Sequence, residues 1–294
     1  MKTRLLITLA IGVAVLAGPA RAADLPPPVQ LKGAAPLVPC TWCGFYVGLN
    51  GGIAADRANI TLTPGPQFDL IDPANAAFLA SNGSPSFTKG SPTGGVQIGV
   101  NSQWWYLVAG LEGDIQYIGV HFSRTTIPLT GAQGLSPVPP NTPEIFNFTE
   151  SLKDQWVATV RFRLGATIGP VLLYGTAGLA FADHEFSQSF TIQNFPSNCV
   201  TSCTQTVTAA GSVSRVAAGF ATGGGLEWRI IAPLSVKFEY LFVDLGKADF
   251  DTALQHPNEA FTAHHESKVT ASLFRAGLNW RFWWPEPRPV VASY

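Results

Sequence analysis

The chain has few charged residues and no excess of positive charge. Asp, Glu, Lys and Arg make up 13% of its 294 residues, and 18 Lys and Arg against 19 Asp and Glu give a formal net charge of -1. A soluble domain carries about 25% charged residues, and a nucleic-acid-binding domain is strongly basic. The composition therefore argues against nucleic acid as a partner and leaves too little charge for an ordinary soluble surface.

Long hydrophobic runs are also scarce. Beyond the N-terminus no apolar run approaches the roughly 18 residues of a membrane-spanning helix. Disorder is excluded as well, because 46% of the residues are hydrophobic and 19 Phe, 8 Trp and 6 Tyr are present. Only helices and closed barrels satisfy their backbone hydrogen bonds in a bilayer. A membrane protein of this composition is therefore predicted to be a β-barrel.

The N-terminus has the three parts of a secretory signal. Lys2 and Arg4 precede an apolar stretch from Leu5 to Ala17, and Ala20-Arg21-Ala22 is a small-x-small cleavage pattern. We predict a signal peptide over 1–22, a Pro-rich periplasmic linker over 23–43, a barrel over 44–282 and a Pro-rich periplasmic tail over 283–294.

Eight segments of the predicted barrel alternate apolar and polar or small residues with a period of two. Such alternation is typical of strands with one apolar face. Three connections between them are tight turns, and four are long and polar, at about Ala58–Ser91, Ser123–Leu152, His184–Val213 and Lys247–Ser267. The pattern predicts an all-β fold, an eight-stranded antiparallel transmembrane β-barrel with short periplasmic turns and long extracellular loops. The predicted location is therefore the outer membrane of a Gram-negative bacterium.

The faces opposite the apolar ones collect charges of both signs. These predicted lumen residues are Glu112, Asp114, Arg161, Arg163, Glu227, Arg229, Lys237, Glu239, Arg275 and Arg281. The interior of an eight-stranded barrel is just wide enough for side chains to fill it, and buried charges must pair. We therefore predict a network of ion pairs that plugs the lumen. A narrow conducting path between the charges is the alternative.

Tryptophans cluster at predicted strand ends, where a barrel carries its interfacial aromatic girdles. The predicted interfacial residues are Trp42, Trp104, Trp105, Trp156, Trp228, Trp280, Trp283 and Trp284.

The four cysteines form two local pairs, Cys40 with Cys43 and Cys199 with Cys203. An exported chain meets an oxidising compartment, so two disulfides are predicted rather than a zinc or redox site. All five histidines are assigned to outer strand ends or outer loops. His264-His265-Glu266 is interpreted as solvated loop, and we predict no metal site, no cofactor and no catalytic residues.

The stretch from Trp42 to Asn50, preceded by Ala23-Asp24-Leu25-Pro26, resembles the start of small outer-membrane β-barrel proteins of α-proteobacteria, the porin or outer-membrane immunogenic protein family. Gly95–Asn101, Gly110–Asp114 and Arg161–Gly165 are similar to that family too. The resemblance implies an outer-membrane barrel. It also implies that the barrel-assembly machinery reads the final strand through Arg275, Gly277, Trp280 and Phe282.

These observations predict a non-enzymatic outer-membrane barrel with a structural or surface-interaction role. Its partners would be outer-membrane lipid, the assembly machinery and an extracellular ligand of the outer loops. The alternatives are a porin-like channel for small solutes and, ranked lower, a lipid-modifying enzyme. An enzyme would need a Ser, a His and an acidic residue that meet near the outer rim, with His121, His184 and His265 as the histidines to inspect.

Overall fold

A computed structural model describes residues 40–71, 73–130, 145–196, 204–256 and 259–282. The predicted signal peptide, most of the predicted linker, the C-terminal tail, Cys199, Cys203, Trp283 and Trp284 lie outside these residues. The described chain is almost entirely β-structure. Its elements are β1 (Gly44–Pro64), α1 (Pro66–Ile71), α2 (Pro73–Asn82), β2 (Ser86–Trp104), β3 (Leu107–Thr125), β4 (Leu129–Thr130), β5 (Ile145–Ile168), β6 (Val171–Pro196), β7 (Thr204–Ile231), β8 (Leu234–His256) and β9 (Glu259–Phe282).

The long strands form one closed antiparallel ring. Each pairs with its neighbour in the chain, β9 pairs with β1, and β3 pairs with β5 across the two-residue strand β4. The prediction of an all-β antiparallel barrel is confirmed. Beside the predicted long strands, the short β4 is an addition, and among the described strands it pairs with β5.

The two ends of the ring differ. At one end, here called the turn end, two-residue turns join β2 to β3 at Trp105-Tyr106, β5 to β6 at Gly169-Pro170 and β7 to β8 at Ala232-Pro233. The other end carries α1 and α2 and is called the helix end. Within the described residues no helix is long and apolar enough to cross a membrane.

The parts of the strands that lie nearest the turn end expose a continuous band of apolar side chains on the outside of the barrel. The band includes Val47, Leu49, Ile53, Ile98, Ile115, Phe162, Leu179, Phe220, Phe238, Phe274 and Leu278. Their neighbours in sequence point inward and are polar or small, because successive side chains of a strand face opposite ways. An exposed apolar surface of this extent is typical of a membrane contact.

Beyond this band, towards the helix end, the apolar side chains lie on the inner face of the barrel wall instead of the outer face. In the half of the barrel nearer the helices, Ala58, Leu152, Phe186 and Val269 belong to a buried apolar cluster inside the ring. Phe148, Phe190 and Phe261 form a second cluster with Phe68 of α1 and Leu79 of α2. The helix-end half is therefore built like a soluble barrel, with an apolar interior and a polar exterior.

This reversal corrects the predicted loops. β6 continues to Pro196 and β7 starts at Thr204, so most of the predicted loop His184–Val213 is strand. The segment alternates inward Phe186 and Phe190 with outward Ser187 and Ser189, and its serines and threonines made it read as loop. Three of the strands carry irregular steps in this region, after Tyr117, Asp154 and Asp244. Gly119 and Gly246 occupy left-handed conformations at two of these steps, with φ of 53° and 72°.

Candidate functional site

The inward-facing charges near the turn end form one buried network. Nine of the ten predicted lumen residues take part, four acids and five bases: Glu112, Asp114, Glu227, Glu239, Arg161, Arg163, Lys237, Arg275 and Arg281. The tenth, Arg229, lies apart at the turn end, where its guanidinium donates to the carbonyl of Thr41 at 3.3 Å. With every group ionised the network sums to +1, since five positive charges face four negative ones.

Arg161 is the centre of this network. Its guanidinium contacts Glu112 at 2.6 Å, Glu239 at 3.2 Å and the carboxylate of Asp114. Its Nε donates to Thr159 Oγ1 at 2.8 Å. Glu112 and Asp114 lie on β3, which pairs with β5, and Glu239 reaches Arg161 from β8, which is not adjacent to β5. One guanidinium therefore joins three carboxylates.

Lys237 and Arg275 belong to the same layer of the network as Arg161, and they pair with its acids. Lys237 Nζ lies 3.0 Å from Glu112 Oε1 and 3.6 Å from Glu239 Oε2. Arg275 donates from Nε to Glu239 at 2.6 Å and from Nη1 to Asp114 at 3.2 Å. Every acid in this layer therefore has at least two cationic partners, as buried carboxylates require.

A second layer lies closer to the turn end and centres on Glu227. Its carboxylate contacts Arg163 and, at 3.3 Å, Arg281, and it accepts from Asn279 Nδ2 at 3.0 Å. Arg163 stacks over the ring of Tyr174 at 3.7 Å from the centroid, a favourable cation–π position. Tyr174 therefore points inward from β6 and is part of this layer.

The mouth of the barrel at the turn end is occupied by the loop that Cys40 and Cys43 close as a disulfide. Trp42 in this loop has no exposed surface and packs with Val108, Leu172 and Tyr174 inside the ring. Arg281 lies over its ring at 4.6 Å. The prediction that Trp42 is an interfacial ring is therefore wrong, because the disulfide loop folds back into the barrel mouth.

The other described tryptophans remain on the outside. Trp104, Trp105, Trp228 and Trp280 are all at least half exposed near the turn end. Trp156 is partly buried at the irregular step of β5. Of the predicted assembly signal, Trp280 and Phe282 point outward from β9 and Arg275 points into the charge network.

The helix-end half contains a small set of buried polar residues within its apolar interior. Asp154, His184 and Ser267 form a hydrogen-bonded chain: His184 Nδ1 lies 2.8 Å from Asp154 Oδ1, and Nε2 lies 2.9 Å from Ser267 Oγ. The sequence assigned His184 to an outer strand end or outer loop, whereas it lies within β6 and is buried inside the ring. The histidine prediction is wrong for this residue because the strand continues through the predicted loop.

A second chain of polar side chains lies nearer the helices. His265 Nδ1 donates to Gln188 Oε1 at 2.9 Å, and Thr252 Oγ1 lies 2.8 Å from His265 Nε2. Gln188 also donates to Glu150 Oε1 and to the carbonyl of Gly83 after α2. These groups lie well beyond the apolar band, and burial lowers the pKa of His265 to about 4. His265 is thus an interior residue as well, and only His264 of the pair is exposed.

No group of three or more His, Cys, Asp or Glu residues with metal-binding geometry occurs within the part of the chain that the structure describes. His264 contacts Asp251 at 2.8 Å on the surface instead. Asp154, His184 and Ser267 lie far apart in the chain, so no local motif in the sequence connects them. The only signal in the sequence is that each of them alternates with outward-facing residues of its own strand.

The amino-acid sequence of the chain matches a known protein family and two curated relatives. The outer membrane protein beta-barrel domain family matches residues 33–282. The 31 kDa outer-membrane immunogenic proteins of Brucella melitensis and Brucella suis are each 32% identical over 85% of this chain and 87% of theirs.

Solved barrels resemble the fold more distantly. The outer membrane protease OmpT of Escherichia coli gives a TM-score of 0.38 at 10% identity, covering 85% of this chain and 99% of that one. OprG of Pseudomonas aeruginosa gives 0.36 at 10% identity, covering 82% and 97%. Neither score supports a shared function. The family match and the identity to the Brucella proteins nevertheless show that this chain belongs to the outer membrane protein beta-barrel domain family and is an outer-membrane protein of the Gram-negative type.

Proposed function

We propose that the protein is an eight-stranded transmembrane barrel with a structural or surface-interaction role and a lumen closed by its paired charges. The observation that carries this proposal is the buried network around Arg161, Glu112 and Glu239. The turn end would face the periplasm and the helix end the cell exterior, as in barrels with short periplasmic turns. The apolar band would contact lipid.

Two further features support a closed lumen. The ring of Trp42 and the disulfide loop fill the mouth on the turn side of the charges. On the other side, the apolar clusters around Phe186 and Phe190 fill the helix-end half. An ion would have to pass all three layers and lose its hydration in the apolar one, which is costly.

The extended helix-end half supports a role at the cell surface. Its polar exterior continues beyond the band, and α1 and α2 pack over its apolar interior. Loops on a rigid scaffold commonly carry recognition. An extracellular ligand would therefore bind here, whereas the barrel-assembly machinery would act on β9 during biogenesis.

Single-channel recording in planar bilayers tests the closed lumen. The barrel should first be shown to be folded by its different electrophoretic migration before and after boiling. We expect no steady openings from the folded wild-type protein. Steady openings that vanish when Arg161 and Arg163 are both replaced by Met would contradict the proposal and favour a narrow channel for small solutes.

A further inference from the structure

Two arginines converge on one carbonyl oxygen at the turn end of the barrel. Arg281 of β9 donates from Nη1 to the carbonyl of Thr41 at 3.0 Å, and Arg229 of β7 donates from Nη1 to the same oxygen at 3.3 Å. Both guanidinium groups therefore lie within hydrogen-bond distance of a single atom. Two like charges held this close repel each other, and an anion beside them would relieve the repulsion.

The positive charge of the interior is concentrated at this end. The layer around Arg161 contains three bases and three acids, so its formal charges sum to zero. The second layer contains Arg163 and Arg281 with Glu227, and Arg229 lies beside it. Three guanidinium groups there face one carboxylate, which gives a formal sum of +2. The mouth at the turn end thus lacks one or two negative charges.

Both arginines also have N–H groups that are not used within the described residues. A guanidinium carries several donors in a planar fork, yet the Arg229 guanidinium makes a single hydrogen bond to the part of the chain that the structure describes. Arg281 Nε has no hydrogen-bond partner there, although Arg281 is only 7% exposed. A charged donor that is buried without a partner is costly. The two side chains can therefore donate to an additional acceptor.

A recess of about 30 Å³ lies between these side chains. It is lined by the two arginines, the disulfide between Cys40 and Cys43, Thr41 and the turn at Ala232-Pro233. Its rim is accessible, because Ala232 is exposed and Thr41, Cys43 and Arg229 are partly exposed. The volume is close to that of one molecule in liquid water. The recess can therefore admit the head group of one small anion, while the rest of a larger molecule would stay outside.

From this geometry we propose that the recess binds a single carboxylate group, held between Arg229 and Arg281. The planar fork of a guanidinium matches the two oxygens of a carboxylate and can bind both at once. A halide offers no second atom for the fork, and a tetrahedral phosphate is larger than a carboxylate. Binding lowers the formal sum at the mouth from +2 to +1. The ligand is thus a small carboxylic acid, or a larger molecule that presents a free carboxylate.

The site lies at the mouth, so ligand binding does not require an open lumen. Only the statement that the ligand comes from the periplasm rests on the proposed function, through the orientation of the turn end. Absence of conductance would leave the carboxylate site standing. Absence of carboxylate binding would leave the closed lumen standing.

Saturation-transfer NMR with acetate tests the site. The folded full chain in deuterated detergent is titrated with sodium acetate, and sodium chloride keeps the ionic strength constant. We expect saturable transfer to the acetate methyl group. Arg229→Gln should weaken binding by about 10–100-fold, because it removes a charged hydrogen-bond donor from the ligand. Arg229 lies outside the buried ion pairs, so this variant should still fold.

Arg57→Gln is the matched control. Arg57 is an exposed arginine of β1 that alternates with the buried Asp56 and Ala58, so it points outward from the helix-end half. Its replacement should leave the acetate titration unchanged.

Competition tests the size of the ligand. Formate should displace acetate at a lower concentration than inorganic phosphate does. The proposal is overturned if the folded wild-type barrel shows no saturable transfer, if Arg229→Gln binds acetate as tightly as wild type, or if phosphate displaces acetate more effectively than formate. The wild-type titration is decisive even where a variant fails to fold.

Discussion

The carboxylate of Glu112 offers a quantitative test of the lumen network. Its Oε1 contacts Arg161 at 2.6 Å and Lys237 at 3.0 Å, and its Oε2 accepts from Tyr46 at 2.6 Å. Glu112→Gln keeps the shape and removes the charge. The formal sum of the network then changes from +1 to +2, since three acids face five bases.

The loss falls mainly on Lys237. Arg161 keeps Asp114 and Glu239, whereas Lys237 keeps only Glu239 at 3.6 Å. Removing one partner of a buried ion pair costs about 3–5 kcal/mol, because a buried charge is left uncompensated. We expect Glu112→Gln to lower the free energy of unfolding by this amount, measured by urea titration of the protein in lipid vesicles.

The control is Glu266→Gln on the barrel exterior. Glu266 pairs with Lys247 at 3.0 Å, but both side chains are partly exposed to solvent. Such a pair contributes about 0–1 kcal/mol. Adding Lys237→Met to Glu112→Gln should recover part of the stability, since the formal sum returns to +1. The reasoning is refuted if Glu112→Gln costs no more than Glu266→Gln, or if the double variant is less stable than the single one by the full cost of Lys237→Met alone.

Three further predictions concern the mouth, the apolar interior and the helix end. Trp42→Ala should lower the free energy of unfolding by about 3–5 kcal/mol, whereas Trp42→Phe should cost much less because Trp42 Nε1 has no hydrogen-bond partner among the described residues; equal losses in urea titration would contradict this. Phe186→Ala should also cost about 3–5 kcal/mol, since Phe186 is fully buried in the helix-end half, and an unchanged urea midpoint would show that this interior is not packed. Glu150 lies beyond the apolar band, and burial raises its pKa to about 7. Its protonated form is favoured on folding, so its contribution to stability should be present below about pH 4.5 and lost as the pH rises through 7; Glu150→Gln should remove that fall in a pH series of unfolding midpoints, and an unaltered series would contradict the assignment.

The period-two alternation of the sequence was enough to predict the strands of the apolar band. Successive side chains of a strand point to opposite faces, so residues such as Phe274 and Leu278 had to share one face while Arg275 and Asn279 shared the other. The same alternation placed Arg161 and Glu239 inside the ring. Which acid meets which base depended on the register between strands, which the alternation does not specify.

The strand period did not predict which face of each strand is exposed in the helix-end half. Alternation identifies two faces but not which of them meets water, and that changes along a strand that leaves the membrane. On β6 the apolar residue Leu179 is therefore exposed on the outer face, whereas Phe186 and Phe190, further along the same strand, are buried on the inner face. The polar residues between them made the segment resemble a loop.

The amino-acid sequence alone determined that this protein is an exported, antiparallel barrel with charges on its inner face, because export signals and strand periodicity are local patterns. Only the tertiary structure decided that Trp42 enters the barrel mouth and that Ser267 meets His184. These contacts arise because ring closure brings together strands that are distant in the chain, and a side chain then reaches across a narrow interior to a residue with which it shares no sequence period.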